Sequence, residues 1–425
     1  MSLVRSNTRQ LQLRKRAAEV IPGGMYGHES TRMLPAEFPQ FFERTQGARM
    51  WDVDGNEYVD YMCAYGPNLL GYNFAPVRAA ADAQYDLGDT GTGPSPVMVD
   101  LAEAFVGMVS FAAWAMFCKN GTDATSMALV LARAHTGRRK VLLAKGAYHG
   151  SAPWNTPQPA GILPEDRAHI VYFDYNDPES LSAALKANAG DVAGVFATPF
   201  RHEVFADQTL PDAAYARAAR DLCDEHGALL IVDDVRATFR IARDCSWAAL
   251  GVKPDLAAFG KSFANGYPIS ALLGAEKVRE AASKIFVTGS FWFQAAPMAA
   301  AVETLRQIRE TDYLERINAA GQRLRDGLQQ QASRYGFTLR QTGPVSMPQI
   351  LFQDDPDFRV GYGFVTEALR RGVYFSPYHN MFLSAAHGDE DLNFTLEATD
   401  DAFAALAAGR DALAPHPIVA ALRGA

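Results

Sequence analysis

Short, continuous apolar runs constrain this 425-residue chain more than any other feature. They fall at Trp114–Cys118, 141–144, 169–173, Val192–Ala197, 228–232, Leu256–Phe259 and 269–273. Segments with helical periodicity lie between them. Residues 124–134 follow an Asn120-Gly121-Thr122-Asp123 break, and 212–226 are closed by Gly227, a helix stop signal. A strand with one wet face would alternate apolar and polar residues. Unbroken apolar runs predict strands buried on both faces, as in a mostly parallel sheet covered by helices. Residues 66–310 therefore read as an α/β domain.

The flanks have another pattern. Trp51-Asp52-Val53-Asp54-Gly55-Asn56-Glu57-Tyr58 predicts two short strands around a D-G-N turn. Residues 311–335 predict a long charged amphipathic helix. Strands are expected at 337–340, Gln349–Phe352 and 373–375, and helices near 360–371 and 400–413. Residues 1–65 and 311–425 together predict a second, smaller α+β domain.

Charge and cysteine usage narrow the function classes. Forty basic against 48 acidic residues give a net charge of −8, so no basic excess is available to neutralise nucleic-acid phosphates. Cys63, Cys118, Cys223 and Cys245 form no C-x-x-C and have no histidines at zinc spacing. Buried free thiols, and no metal, are expected. Residues 1–20 carry four arginines and a lysine but no apolar core, unlike a secretory signal. The longest uncharged apolar run, 104–118, is shorter than the roughly 18–20 residues a membrane helix needs. A cytoplasmic protein without a membrane partner is the expectation.

Ligands of open α/β sheets sit beyond the carboxyl ends of strands. That rule selects Asn120–Asp123, Asp233 and Lys261, each just past an apolar run. Lys261 lies in a loop with Gly260, Gly266 and Pro268. It is either an exposed loop lysine or an amine whose pKa is lowered for Schiff-base chemistry. Asp233 ends a strongly apolar strand, where a carboxylate is costly unless it meets a cation. Such a residue binds a metal, caps a helix or holds a protonated ring nitrogen. Asn120-Gly121-Thr122 opens a helix, so it is a plain N-cap or an anion site. Tyr148 offers a flat face for stacking, and His149 reads more readily as structural than as catalytic. Walker A, G-x-G-x-x-G, H-E-x-x-H and G-x-S-x-G motifs are all missing.

Taken in order, these segments resemble the class III aminotransferases that depend on pyridoxal phosphate (PLP), and most of all the glutamate-1-semialdehyde aminomutase-like branch. The likeness runs through Ile21-Pro22-Gly23-Gly24, Asp52-Val53-Asp54-Gly55-Asn56, Tyr65-Gly66-Pro67, Leu70-Gly71, Gly121-Thr122, Tyr148-His149-Gly150, Asp233 and Gly260-Lys261. The resemblance implies the PLP-dependent transferase fold of type I. Lys261 would form the Schiff base with PLP, and Asp233 would hold its ring nitrogen protonated. Tyr148 and Val235 would cover the two ring faces. Asn120, Gly121 and Thr122 would bind the phosphate. Ser290 would reach the phosphate of a neighbouring subunit's cofactor, so the partner would be a second copy in a homodimer with shared active sites. Small-molecule amines and carbonyl compounds would be the substrates.

Several positions depart from the family pattern. Thr198 stands where the family has a carboxylate, and Thr238 where it has glycine. Phe74 replaces a histidine, and Trp292-Phe293-Gln294 replaces S-G-N. The departures mostly add bulk or remove polarity, through drift or to line a hydrophobic substrate pocket. Tyr65, Phe74, Thr198 and Arg32 are the substrate-side candidates. Arg32 is a carboxylate clamp or a surface arginine. An intermolecular aminotransferase with ping-pong kinetics leads, with an intramolecular aminomutase as the alternative.

Overall fold

All seven apolar runs pair into one sheet in the computed structural model, which describes residues 5–158, 160–202, 204–417 and 419. Its strands lie in the order Trp114–Cys118, Ser270–Gly274, Leu256–Phe259, Leu229–Asp233, Val192–Ala197, Lys140–Ala144 and Ile170–Phe173. Pairings from Leu256–Phe259 through Ile170–Phe173 are parallel. Ser270–Gly274 runs antiparallel to both its neighbours.

The unbroken hydrophobicity has a direct cause. Successive strand side chains point to opposite faces, and here both faces are covered. Leu229 and Ile231 enter one buried cluster, while Leu230 and Val232 enter another. Helix Gly121–Thr136 crosses one face, against Ser270–Gly274, Leu256–Phe259 and Val192–Ala197. Ala75–Leu87 and Val97–Val106 both pack on Ala295–Glu310.

A second sheet joins the two flanks. Phe42–Gln46, Arg49–Asp52 and Glu57–Asp60 form an antiparallel meander. Val373–Tyr374 then adds in parallel to Glu57–Asp60. The D-G-N turn closes as the sequence suggested. Asp52 Oδ1 accepts the backbone N–H groups of Asp54 at 3.0 Å and Asn56 at 2.9 Å, and Gly55 takes φ 83°. Helices Tyr313–Arg334, Arg359–Arg370 and Asp389–Ala408 pack together beside a hairpin of Leu339–Thr342 and Gln349–Phe352. The expected segments at 1–4 and 420–425 lie outside the described residues.

Some elements differ from expectation. The helix expected at 400–413 runs from Asp389 to Ala408. Its acidic first turn, Asp389, Glu390 and Asp391, suits the positive end of a helix dipole but hides the apolar period. Thr8–Val20 is a helix that the polar N-terminus did not announce, and only Gln10 and Ala17 in it are buried. Thr238 keeps a negative φ. The left-handed residue of that turn is Phe239, at φ 56°. The Thr238 hydroxyl instead donates to Asp234 O at 2.8 Å. All four cysteines are buried free thiols. Among the described residues no helix is long and apolar enough to cross a membrane.

Candidate active site

The carboxyl ends of the central strands open into a cavity of about 370 Å³. Asp233 is the last residue of its strand. Its Oδ2 lies 2.8 Å from His149 Nδ1, and its Oδ1 accepts the Val235 N–H at 3.2 Å. A carboxylate only accepts, so His149 Nδ1 carries the hydrogen. The His149 side chain is fully buried, and its role is to hold Asp233. Asp234 points the other way and accepts the Ser246 N–H at 2.8 Å. Burial raises its carboxyl to about 7.

Lys261 follows strand Leu256–Phe259 with φ 47°. Its Nζ donates to the backbone oxygen of Tyr65 at 2.8 Å. Burial, then the charges of Arg236 and Arg240, push this amine down to about 7. An amine with a substantial neutral fraction near neutral pH is what attack on a carbonyl requires.

The Tyr65 carbonyl is aimed by unusual backbone. Cys63, Ala64 and Tyr65 have φ of 46°, 54° and 63°, and Gly66 follows at 109°. Left-handed non-glycine residues cost roughly 1–2 kcal/mol each. Asp60 holds the segment by accepting the N–H groups of Met62 at 2.8 Å and Cys63 at 3.0 Å.

Gly121 begins the helix that crosses the sheet. A Cβ there would lie 2.7 Å from Val235 Cγ1. Asp123 accepts the N–H groups of Asn120 at 2.8 Å and Lys119 at 3.2 Å. Thr122 Oγ1 accepts the Ser151 N–H at 3.1 Å. Lys119 Nζ is buried beside this turn with no partner among the described residues. Free helix N–H groups, a hydroxyl and an unpaired ammonium together make an anion site.

The cavity brings together nine sequence candidates. Lys261, Asp233, Tyr148, Val235 and Tyr65 line it, as do Thr198 and the Asn120-Gly121-Thr122 turn. Three other candidates are elsewhere. Arg32 is exposed on the turn Thr31–Met33, and the neighbouring turn Gly27–Glu29 supplies His28 to the wall instead. Phe74 precedes helix Ala75–Leu87 and lines a separate hollow with Asn68 and Tyr267. Ser290 is exposed and is not part of this chain's cavity. Nor does the Trp292-Phe293 pair line it: Trp292 packs beneath the sheet and Phe293 is exposed.

The structure also adds residues that no sequence motif joined. Arg236 Nη1 donates to Asn380 Oδ1 at 2.6 Å and to His379 Nε2 at 3.0 Å. Arg236 and His379 both line the cavity, with His202.

A profile of the family described as aminotransferase class-III matches residues 33–406. The chain belongs to the class III aminotransferases. It is an amino-group transferase that uses PLP. This class III aminotransferase is 66% identical over 420 residues to the aminopentol aminotransferase of Sphingopyxis macrogoltabida, covering 99% of this chain and 100% of the relative. It is 67% identical to the Sphingopyxis sp. MTA144 FumI protein, solved in its PLP internal aldimine form. That structure superposes with a TM-score of 0.96, over 97% of this chain and 100% of the other. The glutamate-1-semialdehyde 2,1-aminomutase of Nitrosomonas europaea is 28% identical over 92% of this chain and 96% of the relative. The aminomutase-like branch is thus a more distant likeness than the aminopentol aminotransferase.

Proposed function

We propose that the cavity is the active site of a ping-pong aminotransferase whose donor is an amine bearing several hydroxyl groups. The observation that carries this reading is the Lys261 amine, brought down to about 7 in the same cavity as the Asp233–His149 pair. The donor class is inferred from the relative described as acting on an aminopentol.

PLP fits the residues present, because an amine, a buried carboxylate and an anion site converge on one cavity. When bound, PLP supplies the electron sink for moving an amino group between carbons. Lys261 would hold its aldehyde, and in the reaction would take the α-proton from the donor and return it one position away. Asp233, fixed by His149, would keep the ring nitrogen protonated. Tyr148 and Val235 would cover the ring faces. Asn120, Gly121 and Thr122 would receive the phosphate. The cradle between Gly121 and Val235 has no room for a Cβ. Tyr65 and Thr198 would meet the substrates.

We further propose that the protein is a homodimer and that it works in the cytoplasm. Phe291 and Phe293, just after Ser290, carry large exposed rings, 61% and 37% accessible, which a second copy would cover. Ser290 would then serve the partner's cofactor. We further propose that residues 66–310 form the cofactor domain, with 1–65 and 311–425 forming the smaller one.

The test is an absorbance titration of the holoenzyme with a panel of amines. An aminopolyol should bleach the cofactor band, and pyruvate but not buffer should restore it. Turnover of glutamate-1-semialdehyde without any acceptor would favour the aminomutase instead.

A further inference from the structure

We propose that Arg236 is the residue that receives the carboxylate of a 2-oxo acid acceptor. The proposal rests on the aminotransferase reading of the cavity and adds the residue that holds its second substrate.

Lysine and arginine reach the cavity wall at three places, Lys119, Arg236 and Lys261. Lys261 is committed to the cofactor aldehyde. Lys119 stands at the helix turn that suits a phosphate. Arg240 is fully buried, with Nη1 on Leu383 O and Nη2 on Gly66 O, and does not line the cavity. Arg236 is left without a task.

Its geometry supplies one. Arg236 Nη1 spends both hydrogens on neutral acceptors, Asn380 Oδ1 at 2.6 Å and His379 Nε2 at 3.0 Å. His379 Nδ1 lies 2.5 Å from Asn380 O, which only accepts, so the ring hydrogen is on Nδ1. The Nε2 lone pair is thereby turned to the guanidinium. Burial, with Arg236 beside it, holds His379 well below the usual histidine range, so it stays neutral. These two contacts fix the guanidinium plane.

The other edge, Nε and Nη2, makes no hydrogen bond to any described residue, and neither atom is sealed from solvent. Among the described residues no carboxylate forms an ion pair with Arg236. Asp233 is already engaged with His149 and Val235. A guanidinium pinned on one side, with two parallel N–H groups open on the other, matches a planar carboxylate. An uncharged amine has no group for it, whereas a 2-oxo acid carries its carboxylate on the carbon that reacts. Anchoring that group would place the carbonyl for transfer. The exchange balances without an outside oxidant: the acceptor C=O becomes CH–NH2 while the donor CH–NH2 becomes C=O, one water entering and one leaving.

The experiment uses holoenzyme first converted to its amino-loaded form by the donor amine. Single-turnover rates are then compared for pyruvate and for propanal, which lacks the carboxylate. Arg236→Met should lower kcat/KM for pyruvate by about 10–100-fold more than for propanal. Arg236→Lys should recover part of the difference, since it keeps the charge and loses the fork. Calorimetry gives a readout independent of turnover: propanoate should bind wild-type holoenzyme and not Arg236→Met. Equal losses for pyruvate and propanal, or no loss for either, would overturn the assignment. So would release of PLP by Arg236→Met, which would put the guanidinium on the cofactor. A wild-type protein that no amine bleaches would fail the aminotransferase reading itself, a distinct result.

Discussion

The two walls of the cavity are built in different ways. Asn120-Gly121-Thr122, Tyr148, Asp233 and Lys261 all stand within a few residues of a strand end in one sheet. Parallel strands deliver their carboxyl ends to a common edge, so pairing alone brings these groups together. The opposite wall collects His28, Tyr65 from a left-handed turn, and His379, which fixes Arg236 just past the Asp233 strand end. Arg236 and His379 are 143 residues apart and meet only through packing. The first wall is a property of the sheet, and the second of the loops that close over it. A family can keep the first and vary the second.

Substitutions should separate the walls by the size and kind of their effects. Lys261→Ala should cost about 10³-fold or more in multiple turnover, because it removes both the bond to PLP and the proton carrier. Full turnover by that variant would dismantle the cofactor wall as drawn.

A pH experiment asks whether the sheet edge has tuned Lys261. The ammonium form cannot attack, and burial with two nearby guanidinium groups disfavours it. Capture of PLP by the apoprotein should therefore rise with pH and level off above about 7. An unperturbed lysine would keep climbing toward roughly 10.4. A midpoint near that higher value would mean the site does not lower the lysine.

Gly121→Ala tests the closeness of the cradle. Its Cβ would meet Val235 Cγ1 at 2.7 Å, so overpacking of about 1–3 kcal/mol is expected. Urea unfolding would read the destabilisation, and faster PLP release the local damage. The smallest effect is expected at Arg32. As an exposed residue outside the cavity, its change to Ala should alter stability by less than about 0.5 kcal/mol. The KM for pyruvate should also stay within about threefold. A large rise would return the carboxylate clamp to Arg32.

The same division explains what could be read in advance. Trp114–Cys118, Val192–Ala197, Leu256–Phe259 and Gln349–Phe352 match their apolar runs to the residue, since burial on both faces leaves no other pattern. Asp233 and Lys261 were visible because they are polar groups where an apolar strand stops. Helix Thr8–Val20 was not, because its single buried stripe is two residues wide. The pairing of Arg236 with His379 leaves no periodic trace, since it depends on how a loop after Val373–Tyr374 packs. Nor does the sequence place His28: it reaches the cavity from the turn Gly27–Glu29, while Arg32 on the next turn stays exposed.

The parallel pairing of Glu57–Asp60 with Val373–Tyr374 has a consequence for how the protein is made. A ribosome releases the strands of the large sheet, 114–274, long before it releases Tyr374. The N-terminal meander must wait for its last strand. Closing so long a loop is slow, and an unpaired strand edge is open to wrong partners in the meantime. The Tyr65 carbonyl that meets Lys261 lies just beyond that edge. The lysine would therefore receive its partner last, and PLP offered during synthesis would meet an amine not yet tethered.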